Sequence, residues 1–126
     1  MKIKTHNFGE VEFTEDLIVR FNSGILGFES LTKYLFIKPE DDFFYYLNSV
    51  ENPEIAFPLI GIRMIDDKYP EEKDHEAFGI VNLNSDVLKI TVNLKAPVYL
   101  NQNTKTGYQK ILDTDKYPVN FNLFKE

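Results

Sequence analysis

Two histidines, three doublets of identical carboxylates and one run of aromatics are the residues of this chain whose types and spacing could support chemistry. His6 and His75 stand far apart in sequence, and neither lies in a nucleophile motif. Zinc requires three or four nitrogen, sulfur or oxygen ligands in a fixed arrangement, and the chain has no cysteine to supply thiolates. The doublets Asp41-Asp42, Asp66-Asp67 and Glu71-Glu72 are sequence neighbours. Neighbouring side chains on an extended backbone point apart, whereas acid/base pairs face each other across a cleft in different environments. Asp66 and Asp67 also lack the regular oxygen-ligand spacing of a calcium loop. No glycine-rich loop precedes a helical pattern, so nucleotide binding has no support. The expectation is a protein without catalytic residues, metal or cofactor.

The aromatic run Phe43-Phe-Tyr-Tyr46 raises a different possibility. Successive side chains of a strand point to opposite faces, so these four cannot share one core. Either both faces of the strand are covered, or two aromatics are displayed, as at interface hot spots. Whichever of Tyr45 and Tyr46 faces solvent is the expected interaction residue.

The elements that would position these groups are strands. Apolar and polar residues alternate over 89–96, with Ile90, Val92, Leu94 and Ala96 on one face, the period of a half-buried strand. Pro97 lacks a backbone donor, so the run is expected to stop there and resume over 98–100. Residues 3–5 and 11–13 flank a turn containing Asn7 and Gly9, an expected opening hairpin. Further strands are expected at 17–21, 34–37, 43–47, 55–62, 78–83 and 108–112, with Gly107 in a turn. Residues 64–76 read as a solvated acidic connection, and the tail 117–124 keeps Val119, Phe121, Leu123 and Phe124 for packing. No stretch shows a helical stripe. The expected fold is all-β: one compact antiparallel barrel-like domain spanning 1–126 with little helix.

Composition agrees. At 126 residues there is enough chain for one core, with 11 Phe and 7 Tyr favouring strands. The net charge of −6 repels phosphate backbones, and no cluster of lysine or arginine is dense enough to overcome that locally (105–110 holds only two lysines), so direct nucleic-acid binding is not expected. A basic protein partner suits the charge. No apolar run would span a bilayer and no apolar leader opens the chain, so a cytoplasmic location is expected.

Three motifs carry a family likeness: Gly24-Ile-Leu-Gly-Phe-Glu29, Leu47-Asn-Ser-Val-Glu-Asn-Pro-Glu-Ile-Ala-Phe57, and Thr91-Val-Asn-Leu-Lys-Ala-Pro-Val98 followed by Asn101. In this order, with the Gly107 segment and Lys116-Tyr117, they resemble the bacterial flagellar assembly factor FliW family over nearly the whole chain. Leu26 stands where members usually carry proline, the region after Ile62 is shorter than in many, and basic residues expected near the C-terminus are missing. The resemblance implies a barrel-like fold and a regulator without catalysis. Its partners would be flagellin in the cytoplasm and CsrA, a dimeric RNA-binding translational repressor. Once flagellin is exported, the freed protein would capture CsrA and relieve repression of the flagellin message. The partner-binding residues so implied are Leu47, Asn48, Glu51, Pro53, Asn93, Lys95 and Asn101, joined by Tyr45 or Tyr46 from the aromatic run, with Val50, Phe57 and Leu94 in the core. Two alternatives are a β-barrel module taking some other peptide by strand addition at an exposed edge, and a small hydrolase.

Overall fold

The strand pattern is realised as ten strands joined by turns, in a computed structural model that describes residues 1–125. They are β1 (Lys2–Thr5), β2 (Gly9–Glu12), β3 (Ile18–Arg20), β4 (Lys33–Ile37), β5 (Tyr45–Ser49), β6 (Ala56–Gly61), β7 (Glu76–Asn82), β8 (Thr91–Asn101), β9 (Thr106–Gln109) and β10 (Phe121–Asn122). Helical structure among the described residues is confined to 3-10 turns at Glu15–Leu17, Ile62–Met64 and Val87–Lys89. From β3 to β9 each strand pairs antiparallel with the next. β9 then returns beside β3 in parallel, with Arg20 opposite Thr106 and the Arg20 N–H donating to the Lys105 carbonyl at 2.9 Å. The seven strands close into a barrel, as the all-β reading expected. Closure removes the open edges; what remains are the edges of the β1–β2 hairpin and the two-residue β10.

β8 makes closure possible, and here the structure corrects the sequence reading. The strand continues through Pro97 instead of stopping. Phe78 of β7 faces Val98 but Ile80 faces Asn93, so two steps along β7 correspond to five along β8. The extra residues form a bulge, one of the few places within a sheet where proline is tolerated. Its backbone groups find partners elsewhere. Asn93 Oδ1 accepts from the N–H groups of Lys95 and Ala96, both at 3.0 Å. The Leu94 N–H donates to the Pro118 carbonyl at 3.0 Å, and the Pro97 carbonyl accepts from Lys110 N–H at 3.1 Å. The bend lets one strand pair with β10 before the bulge and β9 after it.

Because the barrel is wrapped on the outside, several strands are buried on both faces. Val19, Phe21, Tyr34, Leu47, Phe78 and Val98 fill the interior. Tyr46, Ile60, Val92, Leu94 and Tyr99 point outward and are covered by Tyr69, Leu112 and Tyr117. Phe13, Ile18 and Leu35 pack beneath the β1–β2 hairpin. Each such side chain stabilises the fold by about 1.5–3 kcal/mol. The aromatic run is therefore covered on both faces: Phe44 and Tyr46 outside, Tyr45 toward the interior, with Phe43 exposed before the strand begins.

Three further expectations change. The connection between β6 and β7 is not simply solvated, because Tyr69 is 1% exposed and its hydroxyl donates to the Leu94 carbonyl. Gly107 lies inside β9 opposite Leu100, not in a turn; a Cβ there would sit 2.6 Å from the Phe21 ring. Val119 is exposed, so the tail packs through Tyr117, Phe121, Leu123 and Phe124 alone. The Gly24 turn is shaped as expected, with φ +66° and a Cβ position 2.6 Å from Glu29 Cα that only glycine leaves empty.

Candidate functional site

The groups that looked capable of acid/base chemistry are occupied by loop structure. Asp42 accepts from the Phe44 N–H at 3.0 Å and from the Tyr46 hydroxyl at 3.2 Å. Asp66 accepts from Lys68 N–H and the Tyr117 hydroxyl, and Glu71 pairs with Arg63 at 3.0 Å. Glu72 accepts from the Tyr108 hydroxyl at 2.6 Å and lies 3.5 Å from Lys110 Nζ. The hydroxyl, with Lys110 and His75 nearby, holds its carboxyl below the usual carboxylate range. His6 is exposed; His75 donates Nδ1–H to the Lys73 carbonyl at 2.7 Å and lies edge-on to Tyr108. Among the described residues no three His, Cys, Asp or Glu side chains form a metal cluster.

The residues expected to bind partners divide between the two ends of the barrel. One end, the upper, carries the loops 21–32, 50–55 and 83–90; the other, the lower, carries 38–44, 62–75 and 102–105. Leu47 and Asn48 are fully buried and Tyr46 nearly so, which corrects their assignment to a contact surface. Leu47 belongs to the barrel interior, and Tyr46 lies under Phe8. Asn48 Nδ2 donates to the carbonyls of Ser49 and Pro53, both at 3.1 Å. Glu51 is exposed, yet its Oε1 accepts from the N–H groups of Thr32 and Lys33 at 2.6 and 3.0 Å, joining two upper loops. Half-buried Asn93 satisfies the β8 bulge, and Lys95 reaches the Thr114 carbonyl. Asn101 Oδ1 accepts from Asn103 and Thr104 N–H, shaping the lower β8–β9 turn. Val50 and Phe57, expected in the core, are half-buried; Leu94 is core.

Tyr45 and Asn101 each line a hollow at the lower end, and a concave mouth opens there. Tyr45 stacks on Phe36 at 5.2 Å and stands edge-on to Phe78 at 5.3 Å, with Lys38 Nζ 4.8 Å above its ring. One hollow of about 190 Å³ is lined by Leu17, Phe36, Leu100, Asn101 and Lys105 among others. A second, of about 230 Å³, is lined by Tyr45, Gly61, Arg63, Met64, Glu76 and Ala77. The Phe36–Tyr45 stack lies between them, so they adjoin across one aromatic pair. Leu17 is 46% and Met64 73% exposed, an apolar floor with Arg63, Glu76 and Gln102 at its rim. Exposed aliphatic and aromatic groups with a polar surround suit protein contact. The sequence reading missed Leu17, Phe36 and Met64. Leu17 read as part of a strand and Met64 as the start of a solvated loop, and no periodicity places them together.

The FliW protein family model matches residues 2–76 and 67–123, nearly the whole chain. The chain belongs to the FliW family. A flagellar assembly factor FliW from Caldicellulosiruptor saccharolyticus is 37% identical over 98% of this chain and 90% of its own length. One from Clostridium botulinum is 36% identical, covering 100% of this chain and 99% of its own. A crystal structure of the flagellar assembly factor FliW superposes with a TM-score of 0.90 at 29% identity over 100% of this chain and 99% of that one. The Clostridium alignment runs to 141 positions against 126 residues here, so that FliW protein carries residues this chain lacks. The two family segments overlap over residues 67–76, at the end of the β6–β7 connection and the start of β7.

Proposed function

We propose that this chain is a cytoplasmic flagellar assembly factor that acts by occupancy, held by flagellin and, when free, binding the RNA-binding repressor CsrA. The observation that carries the reading is end-to-end correspondence with flagellar assembly factors in sequence and fold. The physics is competition: the partner with the higher ratio of concentration to dissociation constant occupies the protein, and the other is released. A net charge of −6 favours encounter with a protein built to hold RNA, whose binding surface is basic. The mouth supplies an apolar floor at which one partner can anchor. No chemical step is required of the chain, only differential affinity.

Calorimetric titration of the protein with purified CsrA, repeated after saturation with flagellin, tests this directly. Binding at micromolar concentration in the first titration and strong attenuation in the second is expected. Silence in both, or an unchanged CsrA affinity with flagellin bound, overturns the switch. Met64→Ser, at an exposed position, should leave the fold intact and weaken one of the two partners. Unchanged affinity for both would move the anchor away from the mouth.

A further inference from the structure

The upper end carries a second apolar surface, separate from the mouth. Leu26 is 53% and Phe28 36% exposed, and Phe28 stands edge-on to half-buried Phe57 with centroids 5.1 Å apart. The turn presenting them is fixed from several sides. The Phe28 N–H donates to the Ile25 carbonyl at 2.7 Å, and Gly27 N–H donates to Glu29 Oε2 at 3.0 Å. Leu26 N–H donates to Gln109 Oε1 at 2.8 Å, and Gln109 Nε2 in turn donates to the Ala96 carbonyl at 3.0 Å. The backbone that holds two apolar side chains in water is thus tied to β9 and β8. Such pre-organisation lowers the ordering cost of binding.

Three carboxylates lie close to this surface, with Lys33 beside one of them. Glu29, Glu51 and Glu54 are exposed on the turn and on the loop that leads into Phe57. Among the described residues none of the three enters an ion pair, whereas Glu10, Glu12, Glu15, Glu71, Glu72 and Asp115 all do. A second copy of the chain is a poor occupant, because an isologous contact would set these carboxylates against themselves. We infer that the Leu26–Phe28 turn is a docking surface for a partner segment presenting a large apolar side chain flanked by lysine or arginine. The partner's apolar group packs on Phe28 and Leu26, while its cations meet Glu29 and Glu54 and hasten encounter. The inference rests on the reading of this chain as a protein that works through protein partners, and it adds a site distinct from the mouth.

The test is an amide-resolved NMR titration of the isotope-labelled protein with a short synthetic peptide carrying leucine and phenylalanine between lysines. A counterpart with glutamate for every lysine is the control. Shifts confined to residues 24–31 and 51–57 are expected, with binding at least about tenfold weaker for the glutamate peptide, for Phe28→Ala and for Leu26→Ser. Glu54→Lys with Glu29→Gln, the latter keeping the acceptor for Gly27, should flatten the loss of affinity seen between about 0.05 and 0.5 M salt. Shifts that map to the mouth, equal affinity for both peptides, or indifference to Phe28→Ala in a variant with unchanged melting overturns the inference. So does self-association of the protein that Phe28→Ala abolishes. Purified flagellin and CsrA then separate this inference from the reading beneath it. If both bind and neither is affected by Phe28→Ala, the surface is wrong and the occupancy reading stands. If neither binds the unaltered protein, that reading is wrong and the peptide titration alone decides the surface.

Discussion

Replacing Asn93 by alanine discriminates between a contact residue and a residue that builds the barrel. In the structure Asn93 Oδ1 is the acceptor for Lys95 and Ala96 N–H, both at 3.0 Å, at the point where β7 and β8 lose register. No strand carbonyl faces those donors, and the site is half-buried. A hydrogen bond contributes about 1 kcal/mol net, so losing two costs about 2 kcal/mol. For a domain of this size that lowers the melting temperature by about 7 °C and the urea midpoint by about 1 M. Asn93→Asp keeps an acceptor in place and should recover most of the loss. Urea unfolding followed by circular dichroism, with partner titration at a temperature where all variants are folded, is the assay. The refuting result is stability of Asn93→Ala within about 0.5 kcal/mol of the unaltered protein, or an aspartate variant no better than alanine. Partner affinity lost without any loss of stability would return Asn93 to the interface.

Gly107→Ala should destabilise the protein by about 1–3 kcal/mol in denaturant unfolding, since its Cβ would lie 2.6 Å from Phe21 and 2.7 Å from Leu100 inside the barrel. Alkaline stability should be level below pH 10 and fall above it. Burial pushes the hydroxyl of Tyr34 up to about 12 from 10.0 and raises those of Tyr46, Tyr69, Tyr99 and Tyr108, so the unfolded chain loses its phenolic protons first. Phenolate absorbance recorded alongside unfolding checks the sign; titration of these groups at the ordinary tyrosine value in the folded protein would contradict it. Tyr108→Phe removes the hydroxyl that lowers the Glu72 carboxyl. NMR titration of Glu72 should then show its pKa rising toward 4.5, with less of the stability that a depressed carboxylate contributes above that value and loses as pH falls through it.

Much of the barrel was legible in the chain because a two-residue period is a local property. The alternation at 90–96, the Asn7–Gly9 turn and the glycines of the Gly24 turn each specify their own geometry. Polar side chains that serve as backbone acceptors were not legible, because residue type alone does not separate an acceptor from a surface group. Asn93, Glu51 and Asn101 read as polar surface, yet each side chain accepts from two backbone N–H groups, and Thr32 and Lys33 lie far from Glu51 in sequence. Leu47 and Asn48 could not be recognised as buried on opposite sides of one strand until the wrapping of the barrel was known. Pro97 misled for the same reason: a missing donor stops a strand only where a partner needs it, and in the bulge none does.

By itself the sequence determined an acidic, cysteine-free β chain and, through three ordered motifs, its family. Only the tertiary structure decided which aromatics and carboxylates remain available to a partner. Barrel closure covers both faces of β5 and consumes polar side chains as backbone acceptors, leaving the Tyr45–Phe36 mouth at one end and the Leu26–Phe28 turn at the other. Strand patterns are set by neighbours in the chain, whereas exposure is set by what folds over them.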